Sequence, residues 1–295
     1  MSIPGAYPLI AAYLGCSLTK SRLIIDVRDP HEELVNYKYR RGFSSLIARI
    51  LRKINYSIYR RADAVTAVTR TLVHILTKEI SRPIYLVPNG ADLKVFVPID
   101  KRNARERFRL NQDSFLVVYI GALTHGLYYN VLPVLKAVRK IRERTDINIK
   151  VVVAGPIYYY EKIIESFKDV LHYMGILDVY GIVALLSACD VAIIPRLGDP
   201  IYDYAIPVKF YEYVAMGLPL IVIVNKESEL AKIVEDNKLG FICEPSDHNC
   251  LVKAIIAFAT NKALLGEYKK NVLAFRRHID RRIGAERLYK LISNS

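Results

Sequence analysis

The sequence predicts an α/β fold with parallel sheets, and two observations lead to that prediction. Short apolar segments rich in Val and Ile alternate along the chain with longer amphipathic segments. Strands that are apolar on both faces are typical of parallel sheets covered by helices on both sides. The fold class is therefore expected to be doubly wound, with ligands bound beyond the carboxyl ends of the strands.

The individual elements follow from the apolar spacing. The predicted strands are residues 23–27, 64–68, 84–87, 115–120, 149–154, 191–194, 220–224 and 240–243. The predicted helices include residues 131–144, 159–174, 181–188, 208–216 and 227–235. Strands that alternate with helices of this length indicate consecutive βαβ units.

A domain boundary is predicted near residues 88–113. Pro88-Asn89-Gly90 has turn chemistry, and the polar stretch 100–112 precedes a fresh strand at Phe115. About three strands come before this region, and five βα units follow it. We therefore expect a partial N-terminal α/β domain over residues 1–98 and a complete Rossmann-like domain over 99–275. Residues 276–295 are expected to form a helix that packs back toward the N-terminal domain.

The net charge, the lengths of the apolar runs and the cysteines indicate which partners and which cellular compartment the protein has. The formal net charge of +14 favours polyanionic partners, although a solvated basic surface would give the same number. No apolar run reaches the roughly 20 residues that span a bilayer. Residues 3–18 are apolar but short, contain Pro and Gly, and lack a preceding basic region, so we expect no signal peptide. Cys16, Cys189, Cys243 and Cys250 lack metal-type pairing and are expected to be free thiols in a reducing compartment.

The segment 202–220 carries the strongest chemical signal. Pro207 suits the start of a helix, and Gly217 suits its end. Lys209 and Glu212 are three residues apart, so they lie on one face of the first turns. A cation at a helix amino end suits a diphosphate, whereas a carboxylate can accept hydrogen bonds from both ribose hydroxyls. The alternative, a solvated surface pair, is not excluded by spacing alone.

Five further segments lie in a consistent order around this one. The segment from Pro207 to Pro219 resembles the donor-binding segment of family-4 retaining glycosyltransferases, which have the GT-B fold. Segments 86–92, 119–121, 153–156, 185–195 and 229–245 resemble other parts of that family in the same order. The resemblance extends over about residues 20–275.

The resemblance implies transfer of a sugar from a nucleoside-diphosphate sugar, with retention at the anomeric carbon and without a metal or cofactor. By position, Lys209 and the backbone near Gly121 would hold the diphosphate, and Glu212 would hold the ribose. Gly155 would form the second glycine turn, and Gly175 would lie near the base. A leaving diphosphate next to an oxocarbenium-like sugar can be stabilised by cations and helix dipoles without a protein nucleophile.

The sequence departs from the family pattern at the donor site. Tyr204 occupies the position where the commonest pattern has a second acid. The Arg and Lys that often follow the first glycine turn are missing, so His125 is the nearby basic residue, with Arg196 possible as a second cation beside Lys209. His125 could equally be an exposed loop histidine. The candidate donor-binding residues are thus Gly121, His125, Gly155, Gly175, Arg196, Tyr204, Pro207, Lys209 and Glu212.

The N-terminal part departs further, because the chain enters that domain partway through. Asp29, a candidate catalytic residue with Lys209 and Glu212, and His31 lie in a segment that resembles the acceptor side. A strand that ends in a turn at Asp29-Pro30 explains Asp29 equally well. Either a partner subunit or second copy completes the domain, or the domain is a minimal variant, or the chain is a non-catalytic sugar-nucleotide-binding or assembly subunit.

Residues 37–61 carry eight Lys and Arg side chains and no acid, with apolar residues at helical spacing. Such a helix can lie on an anionic membrane surface, which suggests a cytoplasmic protein that is peripheral at the inner membrane face. The resemblance implies a lipid-linked or cell-surface glycan precursor as acceptor, because glycosyltransferases of this type often use lipid-linked acceptors. Alternatively, the apolar stripe of this helix packs on the N-terminal sheet. Nucleic acid is not an expected partner because no recognition motif accompanies the charge. A polyanion-binding protein on a degenerate fold is a third hypothesis.

Overall fold

The computed structural model describes residues 6–29, 43–124 and 129–293. The chain divides into two compact units. The first contains residues 1–89, 203–206 and 281–295, and the second contains residues 90–202 and 207–280. Each unit is built around its own parallel sheet, so the predicted α/β class is confirmed.

The first unit alternates helices and short strands. Its elements in chain order are α1 (Ala6–Thr19), β1 (Ile24–Val27), α2 (Phe43–Arg61), β2 (Ala64–Ala67), α3 (Arg70–Ile80) and β3 (Tyr85–Leu86). The strands form a parallel sheet in the order β1-β2-β3. Ile25, Val65 and Leu72 are buried between this sheet and the helices, together with Tyr59 of α2. The three strands match the number predicted for this part of the chain.

The second unit contains the larger sheet. Its first elements are α4 (Lys101–Arg107), β4 (Phe115–Ile120), β5 (Leu123–Thr124), α5 (Leu132–Arg144), β6 (Ile149–Ala154), β7 (Ile157–Tyr158), α6 (Glu161–Ser166) and β8 (Leu171–Tyr173). They are followed by α7 (Val179–Ala188), β9 (Val191–Pro195), the 3₁₀ segment Pro200–Tyr204, α8 (Val208–Ala215), β10 (Leu220–Ile223), α9 (Glu229–Asp236) and β11 (Gly240–Cys243). Helices α10 (His248–Thr260) and α11 (Lys262–Phe275) and the 3₁₀ turn Arg276–Ile279 complete the series.

The order of the strands determines where this unit can bind a ligand. Six parallel strands run in the order β11-β10-β9-β4-β6-β8. The chain builds outward from β4 through β6 to β8, and then crosses back to place β9 on the other side of β4. This reversal is a topological switch point, where open α/β sheets bind ligands beyond the carboxyl ends of the strands.

A buried ion pair fixes the start of the central strand. The Asp190 carboxylate accepts hydrogen bonds from Arg105 Nη2 at 2.9 Å and from the Leu116 amide at 2.7 Å. Lys101 pairs with the same carboxylate. The side chain of Arg105 is 4% exposed. Asp190, which lies in one of the segments that resemble the family, therefore ties α4, β4 and the α7–β9 turn together.

The division between residues 89 and 90 lies within the predicted turn and precedes the predicted boundary at 98/99. Residues after it are bonded into the second unit, since the Ala91 amide donates to Ile279 O at 2.8 Å. Arg276 Nη2 also donates to Phe96 O at 3.0 Å. The last helix, α12 (Arg281–Ser293), is part of the first unit, where Arg287 Nη1 donates to Leu86 O at 3.2 Å.

Two sequence predictions for the second unit were wrong. The segment 159–174 is not one helix, because α6 ends at Ser166 and residues 171–173 pair with β6 as a strand. Apolar residues at mixed spacing fit either element, and pairing with an existing sheet edge decides in favour of the strand. Cys243 and Cys250 are not free thiols but a disulfide, with Cα atoms 5.6 Å apart. The short turn between β11 and α10 returns Cys250 to the strand end; Cys16 and Cys189 are free.

Candidate functional site

Three glycine turns meet at the carboxyl edge of the second unit's sheet. Gly121 follows β4 and Gly155 follows β6, both with φ near +144°, and Gly175 follows β8 with φ of +71°. The Gly155 amide donates to Gly175 O at 2.8 Å. A Cβ on Gly155 would lie 2.2 Å from Gly121 O, so no other residue fits there. The turns predicted from sequence are therefore adjacent at this edge, and all three glycines are partly buried.

Helix α8 brings Lys209 to the same edge. Lys209 is 9% exposed, and its Nζ lies 3.3 Å from the Tyr119 hydroxyl at the end of β4. A Cβ on Gly121 would lie 2.9 Å from that Nζ, so the missing side chain of Gly121 leaves room for the ammonium. Lys209 is therefore buried against the first glycine turn, which excludes the alternative of a solvated surface residue.

The environment of Lys209 disfavours the charged form of its side chain. Burial, and secondarily the nearby Arg196 guanidinium, lower the pKa of Lys209 to about 7, although Glu212 acts in the opposite direction. In the part of the chain that the structure describes, no carboxylate lies within ion-pair distance of Nζ. A buried ammonium without a carboxylate partner favours the binding of an anionic ligand, to which it can donate hydrogen bonds.

Glu212 lies one helical turn beyond Lys209 and is half-buried. Burial raises the pKa of its carboxyl group, and the Lys209 ammonium lowers it by a smaller amount. The predicted proximity of the two charges is thus present in the structure. The carboxylate keeps a partly open surface with which it can accept hydrogen bonds from hydroxyl groups.

Pro207 and Arg196 complete the neighbourhood in the second unit. Pro207 occupies the position just before α8, and no side chain caps the amino end of this helix. The first amides of α8 can therefore donate to a ligand. Arg196 follows β9, is 7% exposed, and adds a second positive charge near Lys209. Both residues were predicted from sequence to contribute to the donor site.

Other predicted site residues have different surroundings. Tyr204 belongs to the first unit, where its ring packs on the hydrophobic core and its carbonyl oxygen accepts from Thr69 Oγ1 at 2.7 Å. Asp29 is exposed just after β1. The neighbouring Asp26, in contrast, is buried and accepts from Thr66 Oγ1 at 2.7 Å. His31 and His125 lie outside the described residues.

Sequence reasoning missed the tyrosines of this site. Tyr119 and Tyr129 surround the Lys209 ammonium, with ring centroids 4.4 Å and 3.4 Å from Nζ. The hydroxyl of Tyr213 on α8 accepts from the Ile120 amide at 2.8 Å, which ties the helix to the end of β4. The sequence signal that could have pointed to these tyrosines is the composition, because the chain has 21 Tyr and no Trp.

The apolar side chains of the basic helix α2 differ in burial along its length. Tyr56, Ile58 and Tyr59 are buried in the first unit's core. Leu46, Ile50 and Ile54, spaced four residues apart, are 48%, 48% and 37% exposed. The neighbouring α1 adds Leu14 and Leu18, which are 54% and 86% exposed. None of the described helices is long and apolar enough to cross a membrane.

A cavity of about 420 Å³ lies elsewhere on the second unit, between α5 and α10. Its lining includes the apolar residues Leu132 and Ala137 and the basic residues Lys136, Lys140 and His248. Neither Lys209 nor Glu212 lines it. This cavity therefore offers an alternative anion-binding location against which the predicted site can be tested.

Comparisons with known proteins identify the family to which this chain belongs. Residues 114–261, half of the chain, match the family described as Glycosyl transferases group 1. "Probable glycosyltransferase WbjE" of Pseudomonas aeruginosa is 22% identical over 214 residues. That match covers 72% of this chain and 53% of WbjE, so the chain spans about half the length of this curated relative.

Solved structures show the same fold. Alr3699/HepE from Anabaena, solved in complex with UDP, has a TM-score of 0.75 and 13% identity over 100% of this chain and 78% of its own. The sucrose-phosphate synthase from Thermosynechococcus elongatus has a TM-score of 0.69 and 19% identity over 97% and 73% of the two chains. The predicted GT-B-like fold is confirmed, and the chain belongs to the group 1 glycosyltransferase family.

Proposed function

We propose that this protein transfers a sugar from a nucleoside-diphosphate sugar to an acceptor, with retention at the anomeric carbon and without a metal ion. The observation that carries the proposal is Lys209. It is a buried ammonium beside a glycine turn at the switch point of the sheet, with no carboxylate partner among the described residues. The UDP complex of the similar HepE structure supports a nucleotide as ligand.

The charges at this edge suit the chemistry of the leaving group. Cleavage of the bond between the anomeric carbon and the diphosphate leaves negative charge on phosphate oxygens. Lys209, Arg196 and the uncapped amino end of α8 place positive charge in one region of the second unit. Fixed cations and amides in a site shielded from water stabilise such developing charge strongly. Glu212 is assigned to the two ribose hydroxyls.

The first test is a thermal-shift screen with UDP-, GDP- and ADP-sugars, followed by turnover with the donor that binds. We expect stabilisation by at least one of these donors and a loss of affinity of about ten- to a hundredfold in Lys209→Met. Lys209→Ala should lower turnover more than binding. Lys136→Met, in the lining of the other cavity, is the matched control and should bind as the wild type does.

The outcomes of this screen separate the hypotheses. Donor hydrolysis or glycosyl transfer supports the enzyme, whereas binding without turnover supports a non-catalytic sugar-nucleotide-binding subunit. Absence of any nucleotide-dependent shift would support the degenerate polyanion-binding protein. Activity that survives a chelator supports metal independence, and the anomeric configuration of the product, read by NMR, tests retention.

We also propose that the protein is peripheral at the inner face of the cytoplasmic membrane and acts on a lipid-linked or cell-surface glycan precursor. The exposed residues Leu46, Ile50 and Ile54 support this proposal, since an apolar stripe beside basic side chains suits an anionic lipid surface. Vesicles containing anionic lipid should sediment the protein at low salt, and Ile50→Glu should weaken sedimentation. Ile176→Glu is the control, because Ile176 is also exposed but lies in the second unit.

A further inference from the structure

The ammonium of Lys209 is enclosed by two tyrosine rings. Nζ lies 3.4 Å from the ring centroid of Tyr129 and 4.4 Å from that of Tyr119. The two ring centroids are 6.1 Å apart, with the planes tilted by 57°. A cation within about 6 Å of an aromatic face is attracted by the ring quadrupole, and more strongly when water is excluded. Both distances lie within that limit; Lys209 and Tyr119 are buried, and Tyr129 is half-buried.

Burial between these rings also removes the Lys209 ammonium from water, which is unfavourable for a charged group. A buried ammonium without a counter-ion tends to lose its proton. Arg196, at the end of β9, adds repulsion, while Glu212, on the helix of Lys209 itself, adds attraction from one turn away. The Tyr119 hydroxyl, 3.3 Å from Nζ, provides the one hydrogen bond that the described residues give this ammonium. The two rings and the Tyr119 hydroxyl are thus the close favourable contacts that the described residues give this charge.

The backbone holds Tyr129 in place. Residue 129 forms an antiparallel bridge with Arg196, and the Asn130 amide donates to Pro195 O at 2.9 Å. Tyr129 is therefore fixed to the end of β9, directly across the switch point from β4. Tyr119 is the next-to-last residue of β4 and is 0% exposed.

We propose that Tyr129 and Tyr119 are positioning residues, which hold Lys209 charged and directed at the Gly121 turn so that it can bind the donor diphosphate. This inference rests on the proposed function of the same site. The rings act through Lys209 rather than on the donor itself. Because a neutral ring does not compete with phosphate as a carboxylate would, the ammonium stays available for the ligand.

The test compares variants of Tyr129 in binding UDP-glucose by calorimetry across pH 6–8. Tyr129→Leu should weaken binding about tenfold, because it removes the closest ring. The pH at which affinity declines should also move lower, since the ammonium loses stabilisation. Tyr129→Phe keeps the ring and should restore wild-type affinity. Tyr268→Leu removes a comparable half-buried ring of the same unit and should leave binding unchanged.

A second variant keeps the test valid if Tyr129→Leu fails to fold. Replacement of Tyr129 by pentafluorophenylalanine preserves the ring shape but reverses its quadrupole, so binding should weaken as in Tyr129→Leu. Unchanged affinity in a folded variant of either kind would overturn the inference, as would a loss in Tyr129→Phe equal to that in Tyr129→Leu. A wild-type protein that binds no nucleotide sugar would instead overturn the proposed function.

Discussion

The lowered pKa of Lys209 predicts that donor binding weakens as pH rises through neutrality. Burial and Arg196 bring this pKa to about 7 from an ordinary value of 10.5. The ammonium is then about nine-tenths protonated at pH 6 and about one-tenth protonated at pH 8. If only the charged form binds the diphosphate, the dissociation constant should rise about tenfold between these values, or about 1.4 kcal/mol.

UDP-glucose is the appropriate ligand for this measurement, because its diphosphate does not titrate between pH 6 and 8. Calorimetry at constant ionic strength would give the affinity at each pH. Affinity should be higher at low pH, because protonation of Lys209 creates the cation that binds the anionic diphosphate. An affinity that does not change with pH in the wild-type protein would contradict the lowered pKa of Lys209, because a lysine of ordinary pKa stays protonated over this range.

Two variants identify the titrating group. Lys209→Met should bind weakly, with an affinity that does not change over this range. His125→Ala addresses the other candidate, because a histidine of ordinary pKa near a phosphate would produce a similar decline. If the decline disappears in His125→Ala and persists in Lys209→Met, the assignment to Lys209 is wrong.

Three further predictions concern single side chains. Glu212→Ala should weaken UDP binding about tenfold without unfolding the protein, and 2′-deoxy-UDP should then bind as well as UDP; a persisting difference would contradict the ribose assignment. Gly155→Ala should lower the free energy of unfolding in urea by about 2 kcal/mol or more, because its Cβ would meet Gly121 O. Gly266→Ala is the control: it lies in open space on α11 and should raise the free energy of unfolding by about 0.5–1 kcal/mol. Asp190→Ala should lower the free energy of unfolding by about 3–5 kcal/mol, since it leaves Arg105 buried without its partner; a cost below about 1 kcal/mol would show that the pair is unimportant.

The sequence predicted the central strands well because burial on both faces leaves a continuous apolar signal. Residues 115–120 and 149–154 have the predicted bounds, and so does the edge strand 240–243, although its first three residues are only partly buried. The strand at residues 171–173 was not predicted, because its sequence also fits the pattern of an amphipathic helix. It forms a strand by pairing with β6, whose residues lie 20 positions earlier in the chain. Local spacing contains no information about such a partner.

The candidate site was predictable in outline only. Spacing placed Lys209 and Glu212 on one helical face, but the burial of Lys209 depends on Tyr119, which is 90 residues away. The disulfide of Cys250 was likewise invisible, since it depends on how tightly the chain turns between β11 and α10. Sequence therefore identified the charged groups, and the fold determined their environment.

We expect a sugar nucleotide to bind at the carboxyl edge of the second unit, with its diphosphate on Lys209. The decisive measurement is a crystal structure of the protein with UDP-glucose. It should show a phosphate oxygen within hydrogen-bond distance of Lys209 Nζ, next to the Gly121 turn. A nucleotide seated instead in the cavity of Lys136, Lys140 and His248, with Lys209 still enclosed by its tyrosines, would contradict this expectation.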